Sequence, residues 1–120
     1  ICAFNDDIQG TAAVALAGIL TALRVTAGKL TDQKLLFLGA GEAAIGIADL
    51  VVSAMVAQGL SAPAARARCC MVDSRGLVVA SRADLSEEKR QYALDHPPAV
   101  AHRVAARGLV HLARRGGVLA

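Results

Sequence analysis

Aromatic residues are nearly missing: 2% of the chain, with no tryptophan, one tyrosine and two phenylalanines. A surface for single-stranded nucleic acid interleaves aromatics with basic side chains, so no nucleic-acid partner is expected. Any core is built from Ala, Val, Leu and Ile, which pack helices closely but bury less area per residue. Cysteine is scarce, and Cys2, Cys69 and Cys70 show no metal-ligand spacing. Adjacent cysteines do not readily share a disulfide, so the three read as reduced, buried thiols of a cytosolic chain. Acids are absent from residues 101–120, which hold Arg103, Arg107, Arg114 and Arg115. Of the 13 Lys and Arg residues, nine then face ten acids in the first hundred positions. The basic pI of about 9.1 therefore belongs to the tail. No basic segment leads into a cleavage site, so no signal peptide is expected. The apolar run 12–20 is shorter than a membrane span and is followed by Thr21 and Arg24, so no membrane partner is expected. The chain opens on Ile1 rather than methionine, as a fragment or processed chain would.

What is present is apolar: 55% hydrophobic against 19% charged, a composition that excludes disorder. A length of 120 residues suits one domain or part of one. Residues 6–25 read as a helix whose apolar positions Val14, Leu16, Ala17, Leu20 and Leu23 imply burial on more than one side, with Gly28 as its stop. The polar connection 31–33 leads to a continuous apolar run, Leu35 to Leu38, which suits a central strand buried on both faces. Residues 43–57 have helical spacing, with Ile47, Leu50, Val51, Ala54 and Met55 facing the core and Gly59 beyond the end. Ser61 and Pro63 open a short helix over 64–68. Cys69 to Asp73 reads as a second strand ending on an acid, with a turn at 74–76 and a short extension at 77–80. Ser86, followed by Glu87 and Glu88, starts a helical turn, and His96-Pro97-Pro98 breaks what precedes it. The fold expected is α/β: part of a Rossmann-like dinucleotide-binding domain, with parallel strands flanked by helices.

The glycine-rich segment Gly39-Ala40-Gly41-Glu42-Ala43-Ala44 lies on the strand-to-helix junction. Gly39 permits the tight turn, and Gly41 lets the backbone approach a pyrophosphate with no Cβ in the way. Ala44 stands where a third glycine is usual and is still small. The helix start then offers free N–H groups and the positive dipole end to phosphate. A plain strand–helix turn would use the same glycines for geometry alone. Asp73 is the matching acid for an adenosine ribose, although its interval from the glycines exceeds the usual ~20 residues. Ser74 and Arg75 beside it suit a 2′-phosphate, and Arg82, Lys89 and Arg90 are further basic candidates. For any one of those three, a solvated surface charge is the plainer account.

Asp6 and Asp7 pose a different question. Asn5 or Asp6 suits a helix cap, and a cap needs one acceptor. The remaining carboxylate, with Gln9 near it, suits a hard cation such as Mg²⁺ or Mn²⁺. Two carboxylates seldom hold such a cation alone, so further ligands would come from outside this chain.

The segments FNDDIQGTA from Phe4, LLFLGAGEAAIGIADLVV from Leu35 and MVDSRGLVV from Met71 resemble a malic enzyme, in order and in register, to about Pro97. The resemblance implies oxidative decarboxylation of malate to pyruvate and CO₂, with reduction of NADP⁺ or NAD⁺ and with Mg²⁺ or Mn²⁺. It implies Asp7 as a metal ligand beside the cofactor, with Asp6 as its catalytic neighbour. It implies Gly39, Gly41, Glu42, Ala43 and Ala44 as the pyrophosphate loop, and Asp73 as the ribose acid. Ser74 and Arg75 resemble the pair of NADP-using members, so NADP⁺ is expected ahead of NAD⁺. The family's catalytic lysine, tyrosine acid and other acidic ligands lie outside this chain, so residues 1–120 alone are expected to be inactive. The parent is expected to be a homo-oligomer of the cytoplasm, or of an organellar matrix. Residues 1–98 are expected to be the start of its NAD(P)-binding domain. The resemblance ends near Ala99, and residues 99–120 read as a divergent tail, a composition that a shifted frame of GC-rich coding sequence would also give. His102 and His111 there lack ligand partners at a suitable spacing. On the residues alone, another NAD(P)-binding oxidoreductase or a non-catalytic nucleotide-binding remnant stays open.

Overall fold

The first helix starts where the sequence supplies its cap. In the computed structural model, which describes residues 2–3 and 5–95, the Asn5 side chain accepts from the N–H groups of Asp7 at 3.0 Å and Ile8 at 3.3 Å. The Gln9 side chain accepts from the Asn5 N–H at 3.0 Å. These bonds satisfy donors that a helix start leaves open. Asp6–Gly10 form a π-helical turn that runs into α1, Thr11–Thr26. The whole stretch Asp6–Thr26 has 21 residues and is long and apolar enough, by composition alone, to cross a membrane. The expected stop at Gly28 moves one residue back: Ala27 takes the left-handed cap at φ 56°. The Gly28 N–H then bonds the Leu23 carbonyl at 3.0 Å.

The chain forms two compact units. The helical unit takes the residues up to Lys34 together with Gly41–Arg68. Here α1 and the π-helical turn both pack on α2, Glu42–Ala57, which also contacts α3, Ala62–Arg66. One face of α2 buries Ile47, Ala48, Val51, Val52 and Met55, at helical spacing, with Leu50 and Ala54 half-buried at its edge. Ser61 caps α3 by accepting from the Ala64 N–H at 3.4 Å, and Pro63 sits in the first turn. The helix begins two residues earlier than its sequence suggested. Burial of α1 departs further from expectation. Only Ala12 and Ile19 are buried in it, while Val14 is 74% and Val25 84% exposed.

One contact fixes the π-helical turn against α2. A Cβ added at Gly46 would stand 2.6 Å from Ile8 Cγ2. Glycine inside a helix costs about 1 kcal/mol against alanine, and here it allows Ile8, the residue after Asp7, to lie against the α2 backbone.

The sheet unit takes Leu35–Ala40 and, of the described residues, 69–95. Strand β2, Cys69–Asp73, is central, with its first four residues buried. Strand β1, Leu35–Leu38, pairs parallel to it in the register Leu35 to Cys69 through Leu38 to Val72. Among the described residues β1 pairs on one side only, so its expected central place is not seen here. The described residues form three strands that neighbour one another in chain order, and Leu36 and Leu38 of β1 are half-buried. Strand β3, Gly76–Leu77, pairs antiparallel to β2, so the sheet is mixed rather than wholly parallel. A tight turn joins β2 to β3, and antiparallel pairing follows from so short a connection. Leu94 bridges Val79 beyond it. Ser86 caps α4, Glu87–Arg90, by accepting from the Lys89 N–H at 3.4 Å. Cys69 and Cys70 are buried as expected, but Cys2 is exposed. The tail 99–120, with His102 and His111, lies outside the described residues.

Candidate functional site

The glycine turn has two different glycines. Gly39 has φ +121°, a conformation that L side chains rarely adopt, and its N–H donates to the Val72 carbonyl at 2.8 Å. Gly41 has φ −84° and ψ −178°, which any residue accepts, and a Cβ there would meet nothing within 4 Å. Its own fold does not require glycine at 41; an approaching ligand would. Gly41 is also the N-cap of α2 and brings no side-chain cap. The first helical bond runs from the Ile45 N–H to the Gly41 carbonyl at 3.0 Å. The N–H groups of Glu42, Ala43 and Ala44 therefore lack helical acceptors and suit a phosphate. A close approach that the sequence reading did not mark lies at Gly46, against Ile8. An isolated glycine inside a helical pattern was the signal for it.

The sheet unit gathers the charged residues around the end of β2. Asp73, 12% exposed, accepts four hydrogen bonds. Arg82 supplies two, at 2.9 and 3.0 Å, in a bidentate pair. The Arg75 N–H supplies one at 2.9 Å, and Lys89 Nζ one at 3.3 Å. These match the roughly four acceptor positions of a carboxylate. Hydrogen bonds from Arg82 lead in lowering the Asp73 pKa from 3.8 to about 2, against the opposing pull of burial. Arg82 is itself held from the other side. Its Nε and Nη2 donate to Asp84 at 3.0 and 2.7 Å, and its Nη1 also reaches the Gly76 and Leu77 carbonyls. Asp84 and then Asp73 raise the Arg82 pKa, and Arg82 holds the Asp84 carboxyl well below the usual range. Arg75 Nη1 meets Asp84 at 3.0 Å, with the Arg75 side chain 72% exposed. Ser74 is exposed beside it.

Three predicted residues, Asp73, Ser74 and Arg75, thus lie on one turn, with Lys89 drawn to it from α4. Arg82 is corrected from a solvated surface charge to the centre of the network, 14% exposed. Asp84 was missed, because a single acid in a polar stretch carries no local signal. Arg90 donates to the Leu85 carbonyl at 3.3 Å. The five charges of the network comprise three cations and two carboxylates, a balance that favours a further anion.

Asp6 and Asp7 present the opposite condition. Both are exposed, and among the described residues no hydrogen bond or ion pair engages either carboxylate. Asn5 carries the cap, so the capping role is removed from Asp6. Among the described residues no group of three metal-ligating side chains occurs. The donor set fits a hard cation in kind, by its oxygen ligands, but is incomplete in number.

A family model described as malic enzyme, NAD binding domain, matches residues 8–114. The chain belongs to the malic enzyme family. The match continues past the limit near Ala99 set by the sequence resemblance. The NADP-dependent malic enzyme of Mus musculus is 52% identical over 121 residues, covering 97% of this chain and 21% of that protein. The mitochondrial NADP-dependent malic enzyme of Homo sapiens is 54% identical over 96 residues, covering 80% and 16%. The crystal structure of Entamoeba histolytica malic enzyme aligns with TM-score 0.58 and 32% identity, covering 74% of this chain and 17% of that one. The chain therefore spans about a fifth of the length of the malic enzymes it matches. Family membership removes the alternative of an NAD(P)-binding oxidoreductase of another family; it does not bear on that of a non-catalytic remnant.

Proposed function

We propose that this chain is the cofactor-binding portion of an enzyme that oxidatively decarboxylates malate to pyruvate and CO₂, with NADP⁺ as electron acceptor. The observation that carries the cofactor reading is the pairing of Asp73 with Arg82 and Lys89 beside the exposed Arg75. An acid at the end of this strand normally selects a ribose hydroxyl and repels a 2′-phosphate. Here its charge is already matched, so the repulsion is largely cancelled. Arg75 and the Ser74 hydroxyl then read the 2′-phosphate by charge-assisted hydrogen bonding. Asp73 reaches the ribose where Lys89, its longest partner at 3.3 Å, gives way. The pyrophosphate takes the N–H groups of Glu42, Ala43 and Ala44, with Gly39 and Gly41 clearing its path.

The cation side is assigned to Asp7, with Asp6 as its neighbour acting on charge and proton placement. A bound Mg²⁺ or Mn²⁺ supplies positive charge against an oxyanion developing on the substrate. The remaining ligands and the acid and base groups come from outside this chain. The parent is read as a homo-oligomer of the cytoplasm or an organellar matrix, and residues 99–120 as a divergent end of the domain. The test is NADPH absorbance with malate and Mn²⁺ in the full-length protein. Malate-dependent NADP⁺ reduction faster than NAD⁺ reduction at equal cofactor supports the reading. No malate-dependent turnover with either cofactor overturns it.

A further inference from the structure

Arg75 is the residue assigned to the 2′-phosphate, yet its guanidinium already meets an anion. Asp84 Oδ2 lies 3.0 Å from Arg75 Nη1 and 2.7 Å from Arg82 Nη2, while Asp84 Oδ1 accepts from Arg82 Nε at 3.0 Å. Arg82 is 14% exposed and tied to Asp73 and two carbonyls, so it is a fixed post. It holds Asp84 as a fixed anion. Arg75, 72% exposed, is the movable partner of that pair. A carboxylate and a phosphate ask the same thing of a guanidinium: a planar fork donating to two oxygens.

We propose that Asp84 competes with the 2′-phosphate for Arg75 and so sets the affinity for NADP⁺ while leaving NAD⁺ untouched. A phosphate entering here either displaces Asp84 from Arg75 or sits beside a like charge. Each route costs affinity. NAD⁺ carries a hydroxyl at that position and makes no demand on Arg75. Asp84 is thus a specificity-determining residue that acts through Arg75. The inference rests on the NADP⁺ reading given above.

The experiment measures dissociation constants for NADP⁺ and NAD⁺ by calorimetry in the full-length protein. It compares the natural protein with Asp84→Asn, Asp84→Ser, Arg75→Ala and the Arg75→Ala/Asp84→Asn double variant. Removing an exposed ionic competitor should tighten NADP⁺ about fivefold in both Asp84 variants, with NAD⁺ unmoved. That gain should vanish on the Arg75→Ala background, where there is nothing to release. Unchanged or weaker NADP⁺ binding in both Asp84 variants, with Arg75→Ala still costly, overturns this inference alone. Parallel loss of NAD⁺ binding in both makes Asp84 structural and also overturns it. If Arg75→Ala leaves NADP⁺ binding as it was, the 2′-phosphate reading fails, and this inference fails with it.

Discussion

Two carboxylates, Asp73 and Asp7, stand in opposite conditions. Asp73 receives four donors from its own unit and is driven to a pKa of about 2. Asp7 is exposed, and no described side chain engages it. The first is an anion the chain has already answered. Its charge is matched by the basic cluster gathered around it. The second is an anion left open, held on a turn that Asn5 caps and Gly46 seats. Unanswered charge on a rigid support is what a metal ligand requires. The acid at the end of β2 is thus answered within the described residues, and the acid of the first helical turn is not.

Four measurements press on that contrast. The largest effect belongs to Asp7→Asn in the full-length protein. Asp7 is exposed and Asn5 carries the cap, so without a cation role the change should be mild. Loss of a cation ligand should weaken Mn²⁺ activation by more than about a hundredfold. A Mn²⁺ titration of activity decides, and an unchanged midpoint would return Asp7 to an ordinary surface acid.

Next is Arg82→Ala, which leaves Asp73 and Asp84 facing each other without their shared cation. Breaking a part-buried pair should cost about 3 kcal/mol in urea unfolding. A cost below the scatter of surface substitutions would mean that Lys89 and Arg75 suffice.

The same network predicts a pH dependence. The folded pKa of Asp73 lies below its ordinary 3.8, so its ionised form contributes stability that is complete above that value. The contribution fades as pH falls towards about 2. The Asp73→Asn penalty, read from urea midpoints, should be full at neutral pH and shrink across this acid window. A penalty that stays constant there would separate Asp73 from its ion pairs.

Gly46→Ala should have the smallest effect, because two terms oppose. Helix propensity gains about 1 kcal/mol, and overpacking against stiff, β-branched Ile8 costs about 1–3. A net loss of about 1 kcal/mol is expected, with Mn²⁺ activation weakened as the Asp6–Asp7 turn shifts. A more stable protein would show that Ile8 moves aside freely.

Local chemistry was legible in the sequence. Strand Cys69–Asp73, helix α2 with its buried stripe, and the Ser61 and Ser86 caps all rest on neighbours within a turn or two. The segments around Phe4, Leu35 and Met71 also carried the family. What stayed hidden depends on residues far apart. Asp73 meets Arg82 nine positions on and Lys89 sixteen positions on, a distance no local pattern encodes. The order of the strands among the described residues likewise depends on which of them pair. The exposure of Val14 and Val25 is equally invisible in the helix itself, because an apolar period states what a helix can bury and not what covers it.

If the turn after β2 reads a 2′-phosphate through Arg75, two fragments of the cofactor should tell it. Adenosine 2′,5′-bisphosphate and adenosine 5′-monophosphate share the base, ribose and 5′-phosphate, and only the first carries the 2′-phosphate. In calorimetric titration of the full-length protein, the first should bind at least about tenfold more tightly, as one charge-assisted contact allows. Arg75→Ala should erase most of that difference. Equal affinity in the natural protein, or a preference that survives Arg75→Ala intact, would contradict the account.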